Sequence, residues 1–195
     1  MKESITWQEV TANWKEREDE IWKEFYTEAG FKSWEQFRLG YIHAFKLQKR
    51  SWIKKIVEQP QDFMTYMYPG AKKWEQSYLQ KGVKPNYKEM AYAGKFDNHD
   101  RIQDISKNFP RETEIIALRN HEGKIVTIEG HHRAAGAALA QREGRKIDTT
   151  LSVVMSDISK EEEKQWKDLW ECKFIYRKKV IDTAVIGLNK IGIQL

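Results

Sequence analysis

Apolar residues recur at helical spacing through Trp7, Val10, Trp14, Ile21, Trp22 and Phe25, behind a T-x-x-E capping box of Thr6 and Glu9 and ahead of a stop at Gly30. That pattern predicts a first helix of about 23 residues. Ser33 opens a second box with Gln36, and Trp34, Phe37, Tyr41, Ile42, Phe45, Trp52 and Ile56 continue the period towards Pro60, which predicts a second long helix. The two would form a helical hairpin. Residues 60–98 are broken by Pro60, Pro69-Gly70, Gly82, Pro85 and Gly94, so short helices joined by turns are expected there. From His99 the pattern changes. Ile102, Ile105 and Phe109 predict a short helix, Glu114–Leu118 a strand, Asn120-His121-Glu122-Gly123 a tight turn, and Lys124–Ile128 a second strand. A helix then runs from Gly130 to about Gly144, and Leu151–Met155 reads as a further strand. Ser159 and Glu162 cap a helix through Trp166, Leu169 and Trp170 towards Phe174, and Val180–Leu195 adds a strand or an irregular tail.

Composition narrows this picture. With 195 residues and 40% hydrophobic content the chain can build a real core, and disorder is not expected. No apolar run of membrane-spanning length and no secretory leader is present, so a soluble, cytoplasmic protein is expected. Cys172 is the single cysteine, which excludes an intramolecular disulfide and a cysteine-built zinc site and leaves it as a half-buried helix residue. The eight tryptophans concentrate early, five of them within residues 1–52, and aromatics of that size supply burial area before chemistry.

The net charge of +5 is uneven. Its excess concentrates in Lys46, Lys49, Arg50, Lys54 and Lys55 around Trp52, with Lys46, Arg50 and Lys54 on one face if the segment is helical. Such a stripe suits either a solvated face or nucleic-acid backbone.

The chemistry concentrates between Ile125 and Ala140, where a β-branched strand breaks at Gly130 into an alanine-rich helix carrying His131, His132 and Arg133 on its first turn. The first N–H groups of a helix lack intrahelical partners and carry the positive end of its dipole, so this place favours phosphate. Arg133 adds a bidentate donor, and Gly130 lets a ligand approach the backbone. Glu129, at the strand end, is expected to hold Mg²⁺ or to orient a histidine, and either histidine suits phosphate contact or proton transfer. Asp97, His99, Asp100 and Arg101, with Glu89, form a second polar group ahead of this core, where turn and cap duty is the plainer reading. No P-loop, serine-hydrolase elbow or H-E-x-x-H occurs, and His43, His99 and His121 are scattered.

Between Ile102 and Met155 the chain resembles the ParB/sulfiredoxin superfamily. The resemblance rests on Ile115–Arg119, on Gly123-Lys124-Ile125-Val126, and on Glu129-Gly130-His131-His132-Arg133 with its alanine-rich helix. It covers little more than a quarter of the chain. It implies a short helix, a strand pair and a phosphate-holding Gly-x-x-Arg turn before a helix packed on the sheet. Partition proteins carry a Gly-Glu-Arg-Arg version that binds CTP, sulfiredoxins carry Gly-Cys-His-Arg, and archaeal free-serine kinases carry Asp-Gly-His-His-Arg, which is nearest to the turn here. His131 stands where sulfiredoxin has its reacting cysteine, so a sulfinic-acid reductase is not expected. His132 replaces the second arginine of the partition version, and no helix-turn-helix follows Met155, so a full partition protein is disfavoured.

The expectation is therefore an α+β protein with a small mixed ParB/sulfiredoxin-like sheet and packed helices over residues 96–195, preceded by an all-helical, tryptophan-rich region over residues 1–95. By resemblance it binds ATP or ADP, with CTP as a further option, together with Mg²⁺. It would act as a kinase on a small hydroxyl substrate such as free serine, or as a nucleotide hydrolase. The alternatives are a DNA-binding or nuclease module contacting backbone through Lys46–Lys55, and a nucleotide-sensing module without turnover. No membrane partner is expected, and self-association is left open.

Overall fold

A computed structural model describes residues 2–70 and 85–164. The predicted helix through Trp166–Phe174, Cys172 and the segment Val180–Leu195 lie outside the described residues. Among the described residues are six strands: β1 (Lys2–Ile5), β2 (Trp52–Val57), β3 (Met67–Pro69), β4 (Thr113–Arg119), β5 (Ile125–Glu129) and β6 (Leu151–Asp157). They form one mixed sheet in the order β1-β2-β6-β4-β5-β3. β4 runs parallel to β6 and β3 parallel to β5, while β1/β2, β2/β6 and β4/β5 are antiparallel.

The described chain divides into two compact units. The first holds the whole sheet, with residues 2–5 and everything described from Ser51 onward. The register places Ile53, Lys55 and Val57 of β2, Leu151, Val153 and Met155 of β6, and Ile115 and Ala117 of β4 on one face. The helices of this unit include α3 (Pro60–Phe63), α4 (Tyr87–Tyr92), α5 (Asp100–Lys107) and α6 (His131–Arg142). Residues of α4, α5 and α6 join that sheet face in the core, among them Tyr87, Met90, Ile102 and Leu139. Every residue of α6 from Ala134 to Ala140 is buried, as expected of a helix that is apolar all round. Its small side chains permit close approach: a Cβ added at Gly136 would stand 2.5 Å from Ile105 Cγ2 on α5.

The second unit is the hairpin of α1 (Trp7–Glu28) and α2 (Trp34–Ala44). The Thr6/Glu9 capping box forms as predicted, and Gly30 ends α1 with φ +85°. Trp14 and Trp34 meet edge to face at 5.3 Å, both buried.

Two expectations fail here. Residues 1–95 are not all helical, since β1, β2 and β3 come from them. The second helix also stops at Ala44 instead of continuing to Pro60: Lys46 takes φ +51°, Leu47–Lys49 make a single 3₁₀ turn, and Trp52–Val57 pairs on both sides as β2. The run W-I-K-K-I-V is aromatic and β-branched, and two strand partners outweigh a helical period that continues only through spaced Trp52 and Ile56. Lys46, Arg50 and Lys54 therefore do not share a helix face. Lys54 lies 3.7 Å from Glu114, and Lys55 sits over the Phe63 ring at 4.8 Å. No described helix is long and apolar enough to cross a membrane.

Candidate functional site

The turn between β5 and α6 is built by three local devices. A register shift between Ile116 and Ala117 sets two residues of β5 against one of β4 just before Glu129, the kind of bulge that re-aims a strand end. Gly130 then takes φ +93°, a left-handed conformation that side chains resist. A Cβ there would also stand 2.8 Å from Ile115 Cγ1 and 3.3 Å from the Arg133 guanidinium, so space and backbone both require glycine. Finally, Gly130 as the N-cap residue offers no side chain to the first turn of α6.

Arg133 folds back one turn, and its Nη2 donates to Glu129 Oε1 in a largely buried ion pair. Its guanidinium lies over the Gly130 Cα, and Arg133 Nε is buried without a hydrogen-bond acceptor among the described residues. Glu129 thus orients an arginine. No group of three His, Cys, Asp or Glu among the described residues is arranged to hold a metal.

His131 Nδ1 lies 2.7 Å from Tyr87 Oη, a contact across 44 positions of sequence. Burial, then the neighbouring His132 and Arg133, hold His131 down at about 3, so its ring is neutral at physiological pH. The helix N-terminus disfavours an imidazolium in the same sense. Held so low, the ring is a weaker base than an imidazole at its ordinary value near 6.5. Tyr87 is fully buried, and its phenol is pushed far up by burial, against the Thr127 hydroxyl and helped by the Glu129 carboxylate. Sequence reasoning missed Tyr87. Its local signal is that of an apolar residue following the Asn86 N-cap, and only tertiary folding brings it to α6.

The second polar group divides. His99, at the N-terminus of α5, meets His132 edge to face with ring centroids 5.2 Å apart, so it joins the site. Asp97 pairs instead with Arg142 Nη1 at 2.5 Å, ten residues along α6 from His132. Asp100 and Arg101 are exposed on the first turn of α5. Glu89 completes a capping box with Asn86 at the start of α4. An open depression of about 300 Å³ is lined by Thr65, Asn86, Lys88, Glu89 and Tyr92, none of them a residue of the turn. Comparison with protein-family models, with curated proteins and with solved structures finds no match to this chain.

Proposed function

We propose that the protein binds a nucleotide through its phosphates at the turn Gly130–Arg133, and that it transfers a phosphoryl group from ATP or ADP to a small hydroxyl compound, with free serine as the first substrate to test. One observation carries this reading. Gly130, which space and backbone require to be glycine, gives the first turn of α6 no side-chain cap of its own, and a guanidinium is held over it by a buried carboxylate. Backbone donors, helix dipole and an oriented arginine together supply the charge neutralisation that phosphoryl transfer needs. In this scheme Glu129 anchors Arg133, neutral His131 donates without adding charge, and His132 beside His99 takes the proton of the acceptor hydroxyl.

The decisive measurement is calorimetric titration of ADP and ATP into the native protein and into the double variant Glu129→Gln/Arg133→Met. Removing both partners spares the fold the penalty of one stranded buried charge. Loss of the charged hydrogen bonds is expected to weaken binding by about 1.5–3 kcal/mol. Equal affinity in a folded double variant overturns the placement.

A sensing module without turnover is the second reading, favoured by a single fact: the neutral ring of His131 and the arginine-bound carboxylate of Glu129 are both poor bases. Phosphoryl transfer from ATP to any member of a panel of small alcohols decides for the enzyme; tight nucleotide binding with none decides for the sensor. No observation favours the nucleic-acid reading, since the basic stripe that motivated it is divided between a turn and a strand.

A further inference from the structure

We infer that Tyr87 is a positioning residue that holds His131 in the Nε2–H form, so that the first turn of α6 meets an anion with a neutral donor. The inference rests on the phosphate-binding reading above and deepens it. Three observations lead to it. His131 occupies the first position of α6, where the helix dipole, Arg133 and His132 all oppose a second positive charge, so one ring nitrogen carries a lone pair. That nitrogen is identified by its partner. Tyr87 Oη lies 2.7 Å from His131 Nδ1, within hydrogen-bonding distance whichever of the two donates. A phenol is the better donor and an imidazole nitrogen the better acceptor. With Tyr87 O–H donating to Nδ1, the ring proton stays on Nε2.

The third observation is the rigidity of the holder. Tyr87 is fully buried, its helix begins at a complete Asn86/Glu89 capping box, and it packs in the same core as Ala134 and Ala135 of α6. Its hydroxyl is therefore a fixed point, whereas a solvent partner would allow the ring to change tautomer or flip. A histidine held so donates to phosphate without titrating. The binding site keeps one permanent cation, Arg133, and one permanent neutral donor. Phosphate affinity should then stay insensitive to the protonation of His131 across the neutral range.

Long-range ¹H–¹⁵N correlation spectra of the full-length protein without ligand test this, with His131→Gln used to identify the His131 signals. The expected result is a pyridine-like Nδ1 and a protonated Nε2 that persist from pH 8 to pH 5. Tyr87→Phe, which removes the hydroxyl alone, is expected to shift the ring towards a tautomer mixture, to bring its titration towards the ordinary range, and to raise the Kd for ADP and for inorganic phosphate at least fivefold. A native spectrum with the proton on Nδ1, or a His131 ring that titrates near pH 6.5, overturns the inference even if the variant does not fold. So does a folded Tyr87→Phe protein with unchanged tautomer. Failure of the native protein to bind either ADP or phosphate overturns the proposed function instead, and the spectra distinguish the two.

Discussion

Among the described residues, each unit holds a largely buried arginine–carboxylate pair, and the surroundings of the two differ. In the hairpin, Arg38 Nη2 donates to Glu18 Oε2 at 2.5 Å, and the guanidinium lies 4.4 Å from the Phe37 ring centroid with Trp14 and Trp22 at 5.3 and 5.7 Å. Aromatic faces thus cover the charge, and cation–π attraction offsets part of its desolvation. At the β5–α6 turn, Arg133 has a similar carboxylate partner but lies over a bare glycine and the open start of a helix. Arg38 Nε, like Arg133 Nε, is buried without a hydrogen-bond acceptor among the described residues, so the two pairs differ in what covers the guanidinium. Under the proposed function, a charge held above backbone donors is arranged for an anion. The surroundings of a buried ion pair, more than the pair itself, separate structural from functional use.

The strongest way to break this comparison is to strand one charge in the hairpin. Glu18→Ala leaves Arg38 buried beside its rings, and a loss of about 3 kcal/mol or more in urea unfolding is expected, with ADP affinity unchanged. A marginal stability change would mean that the rings alone accommodate the cation.

Next in size is a pair of glycine substitutions. Gly130→Ala meets both a φ of +93° and Ile115 at 2.8 Å, so about 2 kcal/mol of stability and measurable nucleotide binding should be lost together. Gly123→Ala has a φ of +80° but nothing within 4 Å, so about 1 kcal/mol and no change in binding are expected. Equal effects of the two on binding would remove the turn from the site.

The site also carries a pH signature. His131 is held at about 3 in the folded chain, while the unfolded chain takes up that proton near 6.5. Its contribution to stability is therefore complete above pH 6.5 and declines as pH falls from there towards 3. Between those values the one-proton difference makes the slope approach about 1.36 kcal/mol per pH unit. Unfolding free energies of native protein and His131→Gln between pH 6.5 and pH 4 should diverge by that slope; parallel curves would refute the depressed value.

Smaller again is the cap of the hairpin. Thr6→Ala removes the oxygen that accepts from the Glu9 N–H and should cost about 1 kcal/mol, read as a shift in the urea midpoint with the site untouched. The smallest expected effect comes from the former basic stripe. Replacing Lys46 and Arg50 with alanine should leave ADP affinity unchanged, and the native protein should bind duplex DNA no more tightly than its net charge allows; strong salt-dependent binding lost in that variant would revive the nucleic-acid reading.

Short-range features were legible in the chain. The Thr6/Glu9 box, the Gly30 stop, the turn at Asn120–Gly123 and the boundary at Gly130 each depend on residues within about four positions of one another, where a hydroxyl, a carboxylate or a missing Cβ meets its own backbone. The strand–glycine–helix pattern of the candidate site belongs to this class. What tertiary structure decided is every choice between a local preference and a distant partner. Trp52–Val57 lies in a helical period yet became a strand, because β1 and β6 offered hydrogen bonds and burial on both sides. Glu129 was free by sequence to bind a metal or a histidine and instead anchors Arg133. His131 has a solution pKa suited to proton transfer, and burial against Tyr87, 44 residues earlier, keeps it neutral. Spacing along a chain specifies which groups lie within one turn of each other, whereas charge state and ligand choice depend on the solvent and charges that packing removes or brings close.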